Sequence, residues 1–395
     1  MGNMNRRSSC NEGLSAFLIA ALLFLGGACW WESSAAASAP QAAPPRASAP
    51  KAYFQPHWLP KYGGPKGLHY VGARLCITCH VYEANELKTP MAHASLAPAA
   101  TPYFIAHPQA QRKIGQDLFR FDRSGGREIY SVSRGGKTWS QPLLWTMGQG
   151  VLAQTYVYKA GHRYYEGRVS LYTHINQLDV TMGDAPLPAS LPDALGRRLG
   201  EDELRSCFVC HTTGSYLGGM FNPRRATAGV TCEECHGPGS AHVAAMRAQR
   251  YATPHIYNPG KLTAGGMDQF CGACHRTGNM VFEMGITGIE DLRFQSYRLS
   301  LSSCYNPDDG RISCVACHDP HQPLVKYAGW YDAKCLACHV RQGQAVTVYR
   351  PGKACPVAQK HCVTCHMPRL KLPGSHARFA DHYIRITRPG EAYPG

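Results

Sequence analysis

Cys232-Glu233-Glu234-Cys235-His236-Gly237-Pro238-Gly239-Ser240-Ala241-His242 opens on a pentad, Cys-x-x-Cys-His, that decides how the 395-residue chain is read. The same pentad recurs as Cys76, Cys79 and His80; Cys207, Cys210 and His211; Cys271, Cys274 and His275; Cys314, Cys317 and His318; Cys335, Cys338 and His339; and Cys362, Cys365 and His366. Two cysteines at this spacing, with a histidine directly after the second, form the pattern of covalent haem c attachment. The thiols bond to the porphyrin and the adjoining imidazole takes the iron. Zinc knuckles also use CxxC units, but a site takes four ligands from two knuckles and needs no histidine after each second cysteine. All seven copies carry that histidine, and seven cannot be divided into pairs. The expected cofactors are seven covalently attached haem c groups.

Six of the seven motifs fall between Cys207 and His366, which leaves about 20 to 40 residues per haem, so the porphyrins must supply much of the buried apolar area. The expected fold class is α+β with low regular secondary structure: a haem-packed core of short helices and loops, plus a small β-rich subdomain. Working outward from the motifs, residues 1–39 read as a signal peptide or lipoprotein signal, 40–66 as a flexible Ala/Pro-rich linker and 67–100 as the first haem segment. Residues 101–205 hold no attachment motif, and 206–395 form a six-haem array with a C-terminal ligand segment. Between 101 and 205 the pattern becomes alternating and is punctuated by Gly125-Gly126 and Gly135-Gly136. Strands are expected at 118–121, 129–133, 137–139, 151–159 and 164–172. A helix is compatible with 82–88.

Arg6 and Arg7 followed by the apolar stretch 14–28 fit an exported chain, since that stretch is short for a membrane span. Small residues at Ala35, Ala37 and Ala39 suit ordinary signal cleavage. Leu25-Gly26-Gly27-Ala28-Cys29 resembles a lipoprotein box, which would put a lipid anchor on Cys29. Covalent haem attachment outside the cytoplasm agrees with export, so the localisation expected is periplasmic or membrane-anchored. The formal charge of +15 does not call for nucleic acid. Two propionates per haem offset most of it, and Arg276, Arg369 and Lys371 are placed to pair with them. Outside the motifs and the export segment only Cys304 and Cys355 remain, and an oxidising compartment favours a disulfide between them.

The second axial ligand decides what each haem can do. Nineteen histidines less the seven in motifs leave twelve, enough to close every iron. His321 lies three residues after His318 and His242 six after His236, too near in the chain to reach the far face of their own porphyrins, so each suits a neighbouring haem. His376 and His382 follow the last motif and reach back across the array. For the first haem, Thr89-Pro90-Met91-Ala92-His93 offers Met91 and His93, of which Met91 is the preferred choice.

Tyr70-Val71-Gly72, the 232–242 stretch, Cys317-His318-Asp319-Pro320-His321, Cys365-His366-Met367-Pro368 and Asp381-His382 together resemble the multihaem cytochromes of the c-554-like class. More distantly the chain is similar to cytochrome c nitrite reductase, hydroxylamine oxidoreductase and octahaem tetrathionate reductase. The resemblance implies that His242, His321, His376 and His382 ligate haems other than those of the motifs beside them. The lysine that replaces the motif histidine in the nitrite reductases is not found here, because no CxxCK occurs. The expected function is an exported electron carrier serving periplasmic or membrane redox partners. The alternative is an oxidoreductase acting on a small nitrogen or sulfur compound at one open haem, with His162, His174, Arg163 and Arg168 as candidate groups around it.

Overall fold

The alternation between residues 111 and 180 produces an extended antiparallel meander. In the computed structural model, which describes residues 67–148, 151–184, 190–339, 354–388 and 390–394, the strands are β1 (Ser95–Leu96), β2 (Gln111–Ile114), β3 (Asp117–Ser124), β4 (Arg127–Arg134), β5 (Lys137–Met147), β6 (Ala153–Ala160), β7 (Arg163–Gly167), β8 (Val169–Tyr172), β9 (Gln177–Val180) and β10 (Gly196–Arg198). They form one sheet in the order β10-β7-β6-β5-β4-β3-β2, with β1 joined to β5 and β8 bridging β6 and β9. Gly125-Gly126 and Gly135-Gly136 close the β3–β4 and β4–β5 hairpins, pairing Ser124 with Arg127 and Arg134 with Lys137. All four glycines have φ between 55° and 77°, the left-handed backbone that two-residue hairpin turns require and that side chains resist.

One face of the sheet is an aromatic core. Phe119 and Phe121 alternate inward on β3, Tyr130 and Val132 on β4, and Tyr156 and Tyr158 on β6. Phe121 stands 4.8 Å, ring centre to ring centre, from both Tyr130 and Tyr156, and 5.0 Å from Phe104. Offset and tilted ring contacts of this kind add about 0.5–1.5 kcal/mol per pair beyond the area they bury.

Two details differ from the sequence reading. The run expected over 164–172 is two strands, because Arg168 turns its backbone away. Its N–H donates to Leu195 O at 3.0 Å and its carbonyl accepts from Thr181 N at 2.7 Å, while Gly167 lets the chain pass close to Tyr130 and Tyr156. The sheet also takes in β1 from the first-haem segment, crossing the boundary expected at residue 100. The stretch 82–88 is helical but of the tighter 3-10 kind, Val81–Lys88.

Beyond β10 the structure is short helices, turns and two-stranded ribbons. The longest helix among the described residues there is Ala264–His275. Among the described residues no helix is long and apolar enough to cross a membrane. The export segment, the linker and Cys29 lie outside the described residues. Cys304 and Cys355 are free thiols rather than a disulfide. Cys304 lies within electrostatic reach of Cys338, while the Cys355 sulfur is hydrogen-bonded to the backbone at Val357 and Ala358.

Candidate haem-binding array

The seven motifs occupy two kinds of local structure. The first, second, fourth and sixth lie at the C-terminal ends of helices Ala73–Cys76, Glu201–His211, Ala264–His275 and Ala328–Leu336. The third, fifth and seventh open helices of their own, Cys232–His236, Cys314–Cys317 and Cys362–His366. A helix-ending motif sits beside a helix-opening one three times over. The sulfur of Cys76 is hydrogen-bonded to that of Cys232, Cys271 to Cys314, and Cys335 to Cys362. These thiols stand in for the thioether sulfurs of the mature protein. The pairs also meet end to end, because Cys235 comes within electrostatic reach of Cys271, and Cys317 of Cys335. The order in space is thus first, third, fourth, fifth, sixth, seventh. The second motif is docked on the sheet through Phe208, whose ring is 5.4 Å from that of Trp145, and joins the run where Gly214 N donates to Glu234 of the third.

Buried carboxylates hold the pairs together. Glu233, 2% exposed within the third motif, accepts from the backbone N–H groups of Val71, Gly72 and Gly239 at 2.7–2.8 Å and so ties the approach to the first motif onto the third. Asp332, three residues before Cys335, accepts from His361 N at 2.7 Å and Cys362 N at 2.8 Å. Asp268, three residues before Cys271, takes the Cys314 sulfur at 3.9 Å. Burial raises Asp268 to about 6, opposed by its hydrogen bonds from Ser296, Cys314 and Tyr305. The repeat Asp-x-x-Cys-x-Ala-Cys-His at 268–275 and 332–339 was the readable signal for the two aspartates. Glu233 had none beyond its place inside a motif.

Three of the motif imidazoles are oriented by main-chain carbonyls and a fourth by a side chain. Nδ1 meets Ala94 O at 2.8 Å in His211, Tyr257 O at 3.0 Å in His236 and Arg385 O at 2.8 Å in His366, and the Gln295 side-chain oxygen at 3.2 Å in His275. Those oxygens accept, so Nδ1 carries the proton and Nε2 the lone pair that a metal takes. His339 is exposed, its backbone N–H donating to Cys335 O.

Three motif histidines face a second imidazole. Ring centres are 6.1 Å apart for His80 and His242, 6.1 Å for His236 and His321, and 6.3 Å for His318 and His382. An iron about 2 Å from each of two nitrogens, themselves about 1.1 Å from their ring centres, separates the rings by about 6.2 Å. The donor set therefore fits haem iron. His242 and His382 are oriented through Nδ1 as well, on Pro254 O at 2.7 Å and Ala380 O at 3.1 Å, and Nδ1 of His321 faces Glu83 at 3.5 Å. Burial keeps His236, His318 and His382 below the ordinary imidazole range, His382 at about 4, so all three are neutral and able to ligate at neutral pH.

The remaining candidates are placed differently. His376 bonds Asp179 through Nε2 at 2.9 Å and packs edge-on against Tyr172 of the sheet, so its outer nitrogen is engaged. The ring facing His80 belongs to His242, not to the Met91–His93 turn expected there. Backbone bonds explain the difference. Met91 O accepts from Val230 N at 2.8 Å and Ala94 O holds His211, which fastens that turn beside the second motif, while Nδ1 of His93 lies on Thr89 O at 3.0 Å.

Residues 193–237, which carry the second and third motifs, match the family model described as Cytochrome c554 and c-prime. The Multiheme cytochrome MtrA of Shewanella baltica (strain OS185) is 23% identical over 184 residues, covering 43% of this chain and 47% of that protein. The chain thus spans about half the length of that relative. Together these matches support a multihaem c-type cytochrome. No solved structure matches it.

A cytochrome of this kind binds haem c covalently, and the surfaces around the motifs suit it. None of the motif cysteines is buried or disulfide-bonded, although cysteine is among the residue types most often found inside. Large apolar side chains beside the motifs are exposed, including Tyr82 after His80, Val315 within the fifth motif and Trp330 before the sixth. A flat apolar group bonded to the neighbouring sulfurs would cover them. Between the fifth and sixth motifs a cleft of about 440 Å³ is lined by Ala316, Ala337 and Trp330, with Arg311 and Lys334 at hand for carboxylates.

Proposed function

We propose that this cytochrome is an exported heptahaem electron carrier whose haems form a continuous run with mostly closed irons. The observation that carries the reading is the set of three imidazole pairs, His80–His242, His236–His321 and His318–His382. Haem c, when bound, supplies iron that changes oxidation state by one electron. The protein's part is positional. Paired cysteines would hold each porphyrin edge, backbone carbonyls fix the imidazoles of His211, His236 and His366, and the facing imidazoles would keep water and substrates off the iron. Met91, His93 and His376 are proposed as ligand candidates for the remaining irons. Export is supported by residues 1–39 and by the chemistry of haem attachment. The partners proposed are periplasmic or membrane redox proteins, with lipidation at Cys29 as an anchor.

The test is electron paramagnetic resonance of the oxidised holoprotein, with haem counted by mass. Seven haems, most of them low-spin and with those of the first, third and fifth motifs among these, are expected. In His321→Ala, one haem equivalent, the one held by Cys232 and Cys235, converts to high spin. A native protein with a high-spin ferric haem that binds and turns over a small nitrogen or sulfur compound would replace this reading with that of an oxidoreductase. An unchanged spectrum in His321→Ala would remove His321 as a ligand.

A further inference from the structure

The segment 381–385 touches two motifs at once. His382 faces His318 of the fifth motif at 6.3 Å. Three residues on, Arg385 brackets His366 of the seventh, its N–H donating to His366 O at 3.2 Å and its carbonyl accepting from Nδ1 at 2.8 Å. What holds this strap is a charge cage beneath it. Arg298, on the helix Gln295–Ser300, is 0% exposed, the largest fully buried side chain described. Its Nε and Nη2 donate to the two oxygens of Asp381, each at 3.0 Å, in a fork geometry. Nη1 donates to Pro394 O at 2.8 Å and lies 3.2 Å from Asp291. The rings of Tyr393 and Tyr383 stand over the guanidinium at 4.6 and 5.3 Å, and the Tyr393 hydroxyl donates to Asp291.

Asp381 is likewise 0% exposed, and its contacts run directly into the strap. It accepts from Tyr383 N at 3.0 Å and from Arg385 Nη1 at 2.6 Å, enclosing His382 between two bonded residues. Ser302, just past the Arg298 helix, donates to His382 O at 3.3 Å and accepts from Ile384 N at 2.8 Å. A buried guanidinium surrounded on every side is unnecessary for packing alone, since apolar groups of the same volume hold a core at least as well. Its use is geometric, fixing one carboxylate and through it one backbone turn.

We propose that Arg298 is a positioning residue for two haems at once: by fixing Asp381 it holds His382 opposite His318 and the Arg385 carbonyl against His366. The proposal rests on the reading of His382 as a distal ligand, and the test separates the two. Full-length holoproteins carrying Arg298→Lys, Asp381→Asn and His382→Ala are compared by paramagnetic resonance, redox titration and mass. Arg298→Lys keeps the charge but loses the fork. The expected result is an unchanged number of attached haems, with one equivalent converted to high spin carrying the signature seen in His382→Ala. Excess imidazole should return it to low spin. A second haem, held by Cys362 and Cys365, should shift to higher potential as its proximal imidazole loses the hydrogen bond that strengthens its donation. Asp381→Asn, which preserves shape, reads the same outcome should Arg298→Lys not accumulate. A fully low-spin spectrum in these two variants beside a high-spin haem in His382→Ala would overturn the positioning role and leave the ligand. No change in His382→Ala would overturn the ligand reading and the proposal with it.

Discussion

Inside the sheet, the side chains that meet are Phe104, Phe121, Tyr130 and Tyr156. Inside the attachment array, they are thiols, imidazoles and the carboxylates Glu233, Asp268, Asp332 and Asp381. Both regions belong to one compact unit, yet the large apolar clusters are on the sheet, while the array buries scattered apolar side chains such as Met280, Leu292 and Phe294. The two clusters of buried apolar residues described lie on it, and the one attachment helix they reach is that of the second motif, through Leu204 and Phe208. The sheet encloses its own apolar surface. The array arranges polar clamps around surfaces meant for something flat and apolar.

That contrast can be broken most forcefully by making the protein without haem attachment. Hydrogen exchange in residues 230–388 is then expected to approach that of an unfolded chain, while β3 to β6 retain most of their protection. Equal loss in both regions would show that the sheet has no independent stability. Next in size is Phe121→Ala. Truncating a buried phenylalanine costs about 3–5 kcal/mol, and here the loss should appear in chemical denaturation with the haem spectra unchanged. A spin-state change in that variant would mean that the sheet core governs ligation. The smallest effect is expected from Glu233→Gln. Weakening a charged acceptor of three backbone N–H groups should cost about 1.5–3 kcal/mol and alter the magnetic coupling between the first and third haems, leaving the sheet's exchange untouched.

The sheet's hairpins were readable because their determinants are local: glycine pairs at fixed offsets and alternation along each strand. The break at Arg168 was hidden, since it depends on Leu195 and Thr181, which no window around 164–172 contains. The motifs were equally plain, and His242 and His321 were singled out by a chain too short to cross its own porphyrin, His382 by its place after the last motif. Which motif histidine each of them faces could not be read, because pairing His80 with His242 joins segments far apart in sequence. Met91 was favoured at the first haem for its nearness in the chain, and the backbone bonds to Val230 and His211 carry that turn elsewhere. Arg298 sits in Gln-Ser-Tyr-Arg-Leu-Ser, a string that looks like any exposed helix, and only the folded C-terminal segment makes it a buried cation.

The three imidazole pairs have a consequence for the order of assembly. Under the ligand scheme proposed here, the first iron waits for a residue delivered just after the third motif, the third for one delivered after the fifth, and the fifth for one delivered after the seventh. If haems are attached in chain order, each of these three would be completed only after later motifs have arrived. A chain lacking its C-terminal part would leave a half-ligated iron at the fifth motif, and the arrival of 381–385 would complete the series.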